Sequence, residues 1–146
     1  MKICIIGYGK MGKMVEKIAI SKGHSINQII DSPSDEVEGN ADVAIIFSTP
    51  DSALPNIIKC FEKKLPVICG TTGWLKDIEK IKKYCETNNN TFLFSPNFSL
   101  GVNLFFKINN SVSKIMRSHD EFNSKICEEH HTTKIDSPSG TALKIK

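Results

Sequence analysis

The sequence has 146 residues, the usual size of one domain, and 40% of them are hydrophobic, which is enough for a buried core. A net charge of +3 is too small to indicate a nucleic-acid partner. No apolar run reaches the ~18 residues of a membrane helix, and no signal peptide precedes the first strand-like run. Five cysteines without a C-x-x-C pair argue against a disulfide framework or a zinc site. The composition predicts a soluble, cytoplasmic protein that contacts neither nucleic acid nor membrane.

The first two thirds of the chain alternate between strand-like and helical patterns. The predicted strands are residues 2–7, 25–31, 41–48, 66–70 and 91–95, and the predicted helices are 11–22, 51–63 and 76–87. Strands that alternate with helices of this length form βαβ units with right-handed crossovers. The pattern therefore predicts an α/β fold with a parallel, doubly wound (Rossmann-like) sheet.

A glycine-rich loop follows the first predicted strand. It reads Gly7-Tyr8-Gly9-Lys10-Met11-Gly12, a G-x-G-x-x-G pattern that ends a strand and opens a helix. Such glycines permit a tight turn and the close approach of a pyrophosphate, and the helix N-terminus offers free N–H groups to phosphates. A tight turn without a ligand is the alternative interpretation. We expect a dinucleotide site here.

Asp31 ends the second predicted strand, about twenty residues after the glycine loop, where an acid binds the adenosine ribose. A 2′-phosphate would meet a like charge, at a cost of up to roughly 4 kcal/mol per unit charge at ~4 Å. The next residue is Ser32, and it is not an arginine that would bind such a phosphate. The pattern predicts a preference for NADH over NADPH, although an aspartate that only forms a turn is the alternative.

Three more loops follow predicted strands, at the edge where ligands bind in such sheets. They are Phe47-Ser48-Thr49-Pro50, Gly70-Thr71-Thr72-Gly73 and Ser95-Pro96-Asn97-Phe98. Each loop is equally consistent with ordinary turn chemistry.

The pattern changes after Ser95. The hydrophobic pattern over residues 100–116 predicts a long helix, whose buried face would contain Val102, Phe105, Phe106, Val112 and Ile115. The pattern over residues 123–129 predicts a strand. Ser139 is a predicted N-cap for a helix over 141–146. We expect a dinucleotide-binding domain over residues 1–98 and the incomplete beginning of an α+β substrate-binding domain over residues 99–146.

The segment from Glu128 to Thr141 collects two histidines, a lysine and a helix start. A hydride acceptor such as a conjugated imine needs a proton donor, which histidine supplies near neutral pH. Lys134 would add a positive charge or a proton, and Ser139-Gly140-Thr141 would offer N–H groups to a carboxylate. Solvated loop histidines, half of a metal site and an ordinary helix cap are the alternatives for the separate parts. Their combination favours a reductive site.

These residues carry a resemblance to a known family. Residues 128–142 fit E-x-H-H-x-x-K-x-D-x-P-S-G-T-A, and G-x-G-x-M-G, G-T-T-G and S-P-N-F-S-x-G-V-N precede it in the same order. The chain resembles the 4-hydroxy-tetrahydrodipicolinate reductase (dihydrodipicolinate reductase) family of the diaminopimelate route to lysine. The resemblance implies that NADH or NADPH reduces a small cyclic dicarboxylate to tetrahydrodipicolinate, with loss of the 4-hydroxyl as water.

The resemblance also implies roles for single residues. His130 and Lys134 are the expected proton donors, and His131, Lys134, Gly140 and Thr141 the expected substrate contacts, with no metal. Together with the loops above, the expected cofactor contacts are Gly7, Tyr8, Gly9, Lys10, Met11, Gly12, Asp31, Phe47, Ser48, Gly70, Thr71, Thr72, Ser95, Pro96, Asn97 and Phe98.

Family members are usually homotetramers, so the resemblance implies a homotetramer if the full-length chain exists. They also continue well past the S-G-T-A helix, so we expect this chain to be C-terminally truncated. Two other hypotheses stay open. One is another two-domain nicotinamide oxidoreductase, such as an amino-acid dehydrogenase. The other is a non-catalytic dinucleotide-binding module.

Overall fold

The computed structural model describes residues 1–130, 132 and 137–146. His131 and Lys134, two of the expected site residues, therefore lie outside the described residues. The chain divides into two compact units, Met1–Pro96 and Asn97–Lys146.

The first unit is a parallel five-stranded sheet with helices between the strands. The strands are β1 (Lys2–Ile6), β2 (Ser25–Ile30), β3 (Val43–Ile46), β4 (Val67–Cys69) and β5 (Phe92–Phe94), and the helices are α1 (Lys10–Ser21), α2 (Pro50–Glu62) and α3 (Ile78–Asn88), the last preceded by a short 3-10 turn. The strand order is β2-β1-β3-β4-β5, and all neighbours run parallel. The predicted doubly wound sheet is confirmed.

Alternate residues of the central strands face opposite sides of the sheet. In β1, Cys4 and Ile6 belong to the larger buried cluster, whereas Ile3 and Ile5 belong to the smaller one. The larger cluster includes side chains of α2 and α3, and the smaller one includes Ala19 of α1. Helices therefore cover both faces of the central strands, which explains why β1 and β3 are almost wholly apolar.

Aromatic rings close the larger cluster beneath the loop after β4. Trp74 is 1% exposed and packs edge-on against Phe92 and Phe94, with ring centroids 6.1 and 5.5 Å away. Its Nε1–H donates to the carbonyl oxygen of Thr71 at 2.7 Å. A buried indole needs such a partner, so this bond fixes the loop to the core.

The cysteines are free thiols, and three of them belong to the core. Burial raises the pKa of Cys4 to about 11 and that of Cys60 to about 12, so these thiols stay protonated at neutral pH. Within the described residues, no helix combines the length and the apolar character that crossing a membrane requires.

The second unit contains two described helices, α4 (Leu100–Met116) and α5 (Gly140–Ile145). Both start at a serine N-cap, as Ser99 accepts from the N–H of Val102 at 3.4 Å and Ser139 from that of Ala142 at 3.0 Å. Asn109 Nδ2 of α4 donates to the carbonyl oxygen of Ile145 at 3.3 Å, which joins the two helices.

Two predictions for this unit are wrong. Residues 123–129 form no strand, because a strand needs a neighbour to pair its backbone groups and the described part of this unit supplies only helices. The predicted buried face of α4 is also not buried, since no residue of this helix is fully covered and Ile115 is 66% exposed. Hydrophobic periodicity indicates which face is apolar, but burial depends on a second surface.

Ile57→Ala should lower the free energy of unfolding by about 2–5 kcal/mol, because it opens a cavity in the larger cluster. Ile20→Ala is the matched control at a helix position that is 58% exposed, and it should change stability by less than about 0.5 kcal/mol. Urea unfolding, followed by the fluorescence of the single tryptophan, measures both. Equal losses in the two variants would contradict the assigned core.

Candidate functional site

The loop after β1 brings several backbones together. The N–H of Gly7 donates to the carbonyl oxygen of Ile30 at 2.8 Å, and its φ of +89° is a conformation that favours glycine. A Cβ on Gly7 would lie 2.2 Å from the oxygen of Phe47, and one on Gly12 would lie 2.1 Å from the oxygen of Gly7. A Cβ on Gly9 would meet nothing within 4 Å. Gly7 and Gly12 are thus required by packing, whereas Gly9 faces open space.

This loop lies at the switch point of the sheet. The chain leaves β1 toward β2 on one side and returns to β3 on the other, so the carboxyl ends of β1 and β3 border a crevice. A cleft of about 520 Å³ occupies that position, and its lining includes Gly7, Gly9, Asp31, Ser48 and Lys59. Its volume falls within the ~300–1,000 Å³ of small-molecule sites.

Asp31 is fixed at the wall of this cleft. Its Oδ1 accepts from the N–H of Tyr8 at 2.7 Å, so the carboxylate is held against the glycine loop. The Tyr8 hydroxyl donates to Glu16, and Lys13 Nζ lies 5.6 Å from the centroid of the Tyr8 ring. The predicted ribose-binding position and the glycine loop are therefore neighbours.

Asp35 and Lys59 organise the segment that follows β2, and neither residue was predicted from the sequence. The Asp35 carboxylate accepts from the N–H groups of Ser32 and Asp31 at 2.9 and 3.1 Å, and these bonds hold its pKa below the usual value. Lys59 Nζ donates to the carbonyl oxygens of Pro33 and Asp35 at 2.8 and 3.1 Å, which joins the segment to α2. An aspartate four residues after Asp31 was a detectable signal for a turn, whereas nothing local distinguishes Lys59 from the other lysines.

The loops after β3 and β4 interlock beside the glycine loop. Thr71 is 5% exposed, and its Oγ1 accepts from the N–H of Ser48 at 2.9 Å. A Cβ on Gly70 would lie 2.1 Å from the ring of Phe47, so any larger residue there would displace this ring. A smaller cleft of about 420 Å³ is lined by Gly9, Lys10, Met11, Phe47, Ser48, Gly70, Thr71 and Thr72. The structure therefore brings together the predicted residues of three loops.

The residues of the fourth predicted loop fall on both sides of the boundary between the two units. The N–H of Ser95 donates to the carbonyl oxygen of Cys69 at 3.2 Å, and Pro96 ends the first unit. Asn97 and Phe98 belong to the second unit, where the Asn97 side-chain oxygen accepts from the N–H of Ser99 at 2.8 Å. This bond shapes the entry into α4.

The second unit contains a polar cluster centred on Glu128. Its Oε1 accepts from the Ser139 N–H at 2.9 Å, and its Oε2 accepts from the Ser139 hydroxyl at 2.5 Å and from His130 Nε2 at 2.9 Å. The bond from the Ser139 hydroxyl, followed by that from His130, lowers the Glu128 pKa to about 2. The carboxylate is therefore ionised at any pH near neutrality.

The same cluster borders a cleft of about 740 Å³. His130, Ser139 and Thr141 line it, together with residues of α4. A Cβ on Gly140 would meet nothing within 4 Å, so the turn that starts α5 is accessible. Glu128 was missed as a functional residue, although it is the first position of the E-x-H-H motif. Among the described residues, no group of three or more histidine, cysteine, aspartate or glutamate side chains is arranged to hold a metal ion.

Two family descriptions match the chain in succession. Residues 1–98 match "Dihydrodipicolinate reductase, N-terminus", and residues 101–146 match "Dihydrodipicolinate reductase, C-terminus".

Individual relatives show the same similarity. The 4-hydroxy-tetrahydrodipicolinate reductase of Christiangramia forsetii is 40% identical over 99% of this chain, and that of Staphylococcus haemolyticus is 35% identical over 99%. The match covers 62% and 63% of those relatives, so the chain spans less than two thirds of their length. Among solved structures, dipicolinate-bound dihydrodipicolinate reductase from Paenisporosarcina superimposes with a TM-score of 0.71 at 20% identity, over 99% of this chain and 63% of that one.

The glycine loop gives a matched pair of variants. Gly12→Ala should lower the free energy of unfolding by about 1–3 kcal/mol, because its methyl group would overlap a backbone oxygen. Gly9→Ala should change stability by less than about 1 kcal/mol, yet weaken NADH binding by about tenfold, because the methyl group would occupy the space that a pyrophosphate needs. Urea unfolding and titration calorimetry measure the two effects. An unchanged NADH affinity in Gly9→Ala would contradict the expectation that the cofactor binds at this loop.

Proposed function

The chain belongs to the dihydrodipicolinate reductase family, and we propose that it takes part in the nicotinamide-dependent reduction of 4-hydroxy-tetrahydrodipicolinate to tetrahydrodipicolinate. The observation that carries the proposal is the cleft at the carboxyl ends of β1 and β3, which is lined by the open Gly9 and by Asp31, whose carboxylate is fixed. Residues 1–98 form the dinucleotide-binding domain in this proposal, and residues 99–146 form the beginning of the substrate-binding domain.

The cleft fits a dinucleotide cofactor. Gly9 leaves room for a pyrophosphate, and the first turn of α1 directs unpaired N–H groups to the same place. The nicotinamide would supply the hydride of the reaction. The proposed cofactor contacts are those predicted from the sequence, from the glycine loop and Asp31 to the loops at Phe47–Ser48, Gly70–Thr72 and 95–98.

Asp31 favours NADH over NADPH in this proposal. Tyr8 occupies only one carboxylate oxygen, which leaves acceptor capacity for the hydroxyls of an adenosine ribose. A 2′-phosphate at the same place would meet a negative charge, and the nearby lysine ammonium of Lys59 is already bonded to two carbonyl oxygens.

The substrate would occupy the cleft beside Glu128. The solved relative from Paenisporosarcina binds dipicolinate, a planar cyclic dicarboxylate. In this chain, Gly140 presents open backbone and Thr141 lines the cleft, so both suit a carboxylate group. His131 and Lys134 complete the proposed contacts, since they would neutralise the negative charge of the substrate carboxylates.

His130 and Lys134 would supply the protons. Negative charge develops on the ring as it accepts hydride, and a donor within hydrogen-bond reach then lowers the barrier. Loss of the 4-hydroxyl as water would place a proton on the leaving oxygen and remove one from the adjacent ring carbon, so the reaction as a whole consumes one hydride and one proton. His130 lines the proposed substrate cleft, which fits the first of these roles.

A homotetrameric assembly of the full-length chain, if one exists, and a cytoplasmic location complete the proposal, and the assembly rests on the usual state of the family. Light scattering coupled to size-exclusion chromatography measures the assembly. A monomer at micromolar concentration would contradict it.

Asp31→Ala should narrow the difference between the Kd values for NADH and NADPH by about tenfold, because it removes the charge that repels the 2′-phosphate. Asp51→Ala is the control, since it removes an exposed carboxylate at the start of α2 that does not line the cleft. Titration calorimetry with both cofactors measures the ratio. A ratio unchanged from the unaltered protein would exclude Asp31 from the ribose site.

Lys134→Ala and His130→Gln should each lower turnover of the cyclic substrate by about 10²–10⁴-fold, while the Kd for NADH stays within about twofold. Lys114→Ala, an exposed lysine of α4, should leave both quantities unchanged. NADH oxidation and titration calorimetry measure them. Equal losses of turnover and NADH affinity would contradict the assigned roles.

Assays of turnover and of NADH binding with the unaltered chain distinguish the reductase from the two other hypotheses for its function. Turnover of aspartate or homoserine in place of the cyclic dicarboxylate would favour an amino-acid dehydrogenase. NADH binding without any hydride transfer would favour a dinucleotide-binding module.

A further inference from the structure

We propose that Glu128 is a positioning residue, which fixes the proton of neutral His130 on Nε2 and so makes Nδ1 the atom that exchanges a proton with substrate. The proton exchange with substrate rests on the proposed function. The tautomer and its cause follow from the geometry of the described cluster.

The donors around Glu128 determine the direction of each hydrogen bond. An ionised carboxylate can only accept, so His130 Nε2 at 2.9 Å must carry a hydrogen. The Ser139 N–H also donates to the carboxylate, at 2.9 Å. The Ser139 hydroxyl accepts from the N–H of Ala142 at 3.0 Å, and it therefore uses its own hydrogen toward Glu128. Each donor in the cluster therefore has one acceptor, and no two of these hydrogen-bond directions conflict.

The low pKa of Glu128, about 2, supports this arrangement because it keeps the carboxylate charged over the working pH range. Protonated Glu128 would compete as a donor and would leave the orientation of the imidazole open. The three bonds that lower this pKa are the bonds that hold His130 and the first turn of α5 together.

The contact also joins two parts of the proposed substrate site. Ser139 is 4% exposed and starts α5, which carries the proposed carboxylate contacts Gly140 and Thr141. His130 is bonded to the same carboxylate and lines the same cleft. Glu128 thus sets the position of the proton donor relative to the turn that would hold the substrate carboxylate. In a histidine oriented through one ring nitrogen, the other nitrogen performs the proton transfer.

Nitrogen-15 NMR of the full chain with labelled histidine tests the tautomer directly. His130→Gln assigns the His130 signals by their disappearance. We expect the neutral imidazole to carry a hydrogen on Nε2 that exchanges slowly with water and to have an unprotonated Nδ1. A hydrogen on Nδ1 in the unaltered protein would overturn the proposal. The deciding spectrum is that of the unaltered protein, and the His130→Gln variant serves only to assign its signals.

Glu128→Gln tests the cause, and Glu129→Gln is the matched control at the next position, which is exposed. The amide keeps the shape but replaces one acceptor oxygen with a donor, so the slow exchange of the Nε2 hydrogen should be lost in Glu128→Gln alone. Turnover should fall about 10- to 100-fold in that variant, with the Kd for NADH unchanged. Identical spectra of the two variants would refute the role of Glu128.

The same measurements separate this proposal from the proposed function. An unaltered chain that binds no dipicolinate and turns over no substrate would contradict the proposed function, while its NMR spectrum would still decide the tautomer. Conversely, turnover with a hydrogen on Nδ1 would retain the reductase and refute the positioning role.

Discussion

The first unit depends on the close approach of backbones at Gly7. The N–H of Gly7 bonds to the end of β2, the N–H of Phe47 bonds to Ile6 at 2.9 Å, and Gly12 of α1 packs against the Gly7 oxygen. Two strands and a helix therefore meet β1 at a point where no side chain fits. Because the backbone atoms fill this junction, the only open glycine of the loop, Gly9, faces outward, and the cleft follows from the packing.

The parts that the sequence predicted are those with a local signal. The five strands alternate with periodic helices, the glycine loop has a fixed spacing, and Asp31 directly follows an apolar run, so each is recognisable within a few residues. Lys59 carries no such signal, because its bonds to Pro33 and Asp35 exist only after α2 has packed on the sheet. The bond between Thr71 and Ser48 likewise joins loops that lie 23 residues apart. Polar contacts of this kind show no periodicity, and only the fold reveals them.

In the second unit, sequence patterns failed to predict structure that depends on a partner surface. The segment 123–129 has strand-forming residues but no partner strand in the described part of the unit. In the same part, the other helix that could cover the apolar face of α4 has only six residues. Strand pairing and helix burial are properties of two surfaces, whereas a pattern describes one. Serine N-caps can be predicted from the sequence, because an N-cap bonds to the first turn of the helix that it starts. Ser139 was predicted for this reason, although its second partner, Glu128, was not.

Two carboxylates illustrate how the same group serves different purposes in the two units. Asp31 accepts one backbone hydrogen bond from Tyr8, and the remaining acceptor capacity faces a cleft, which suits recognition of ligand hydroxyls. Glu128 accepts three hydrogen bonds from Ser139 and His130, so most of its acceptor capacity is used within the protein. An ionised carboxylate never donates, and each group therefore dictates which atom of its neighbour carries the hydrogen. The number of donors already present is thus the difference between Asp31, which we propose binds a ligand, and Glu128, which we propose orients a proton donor.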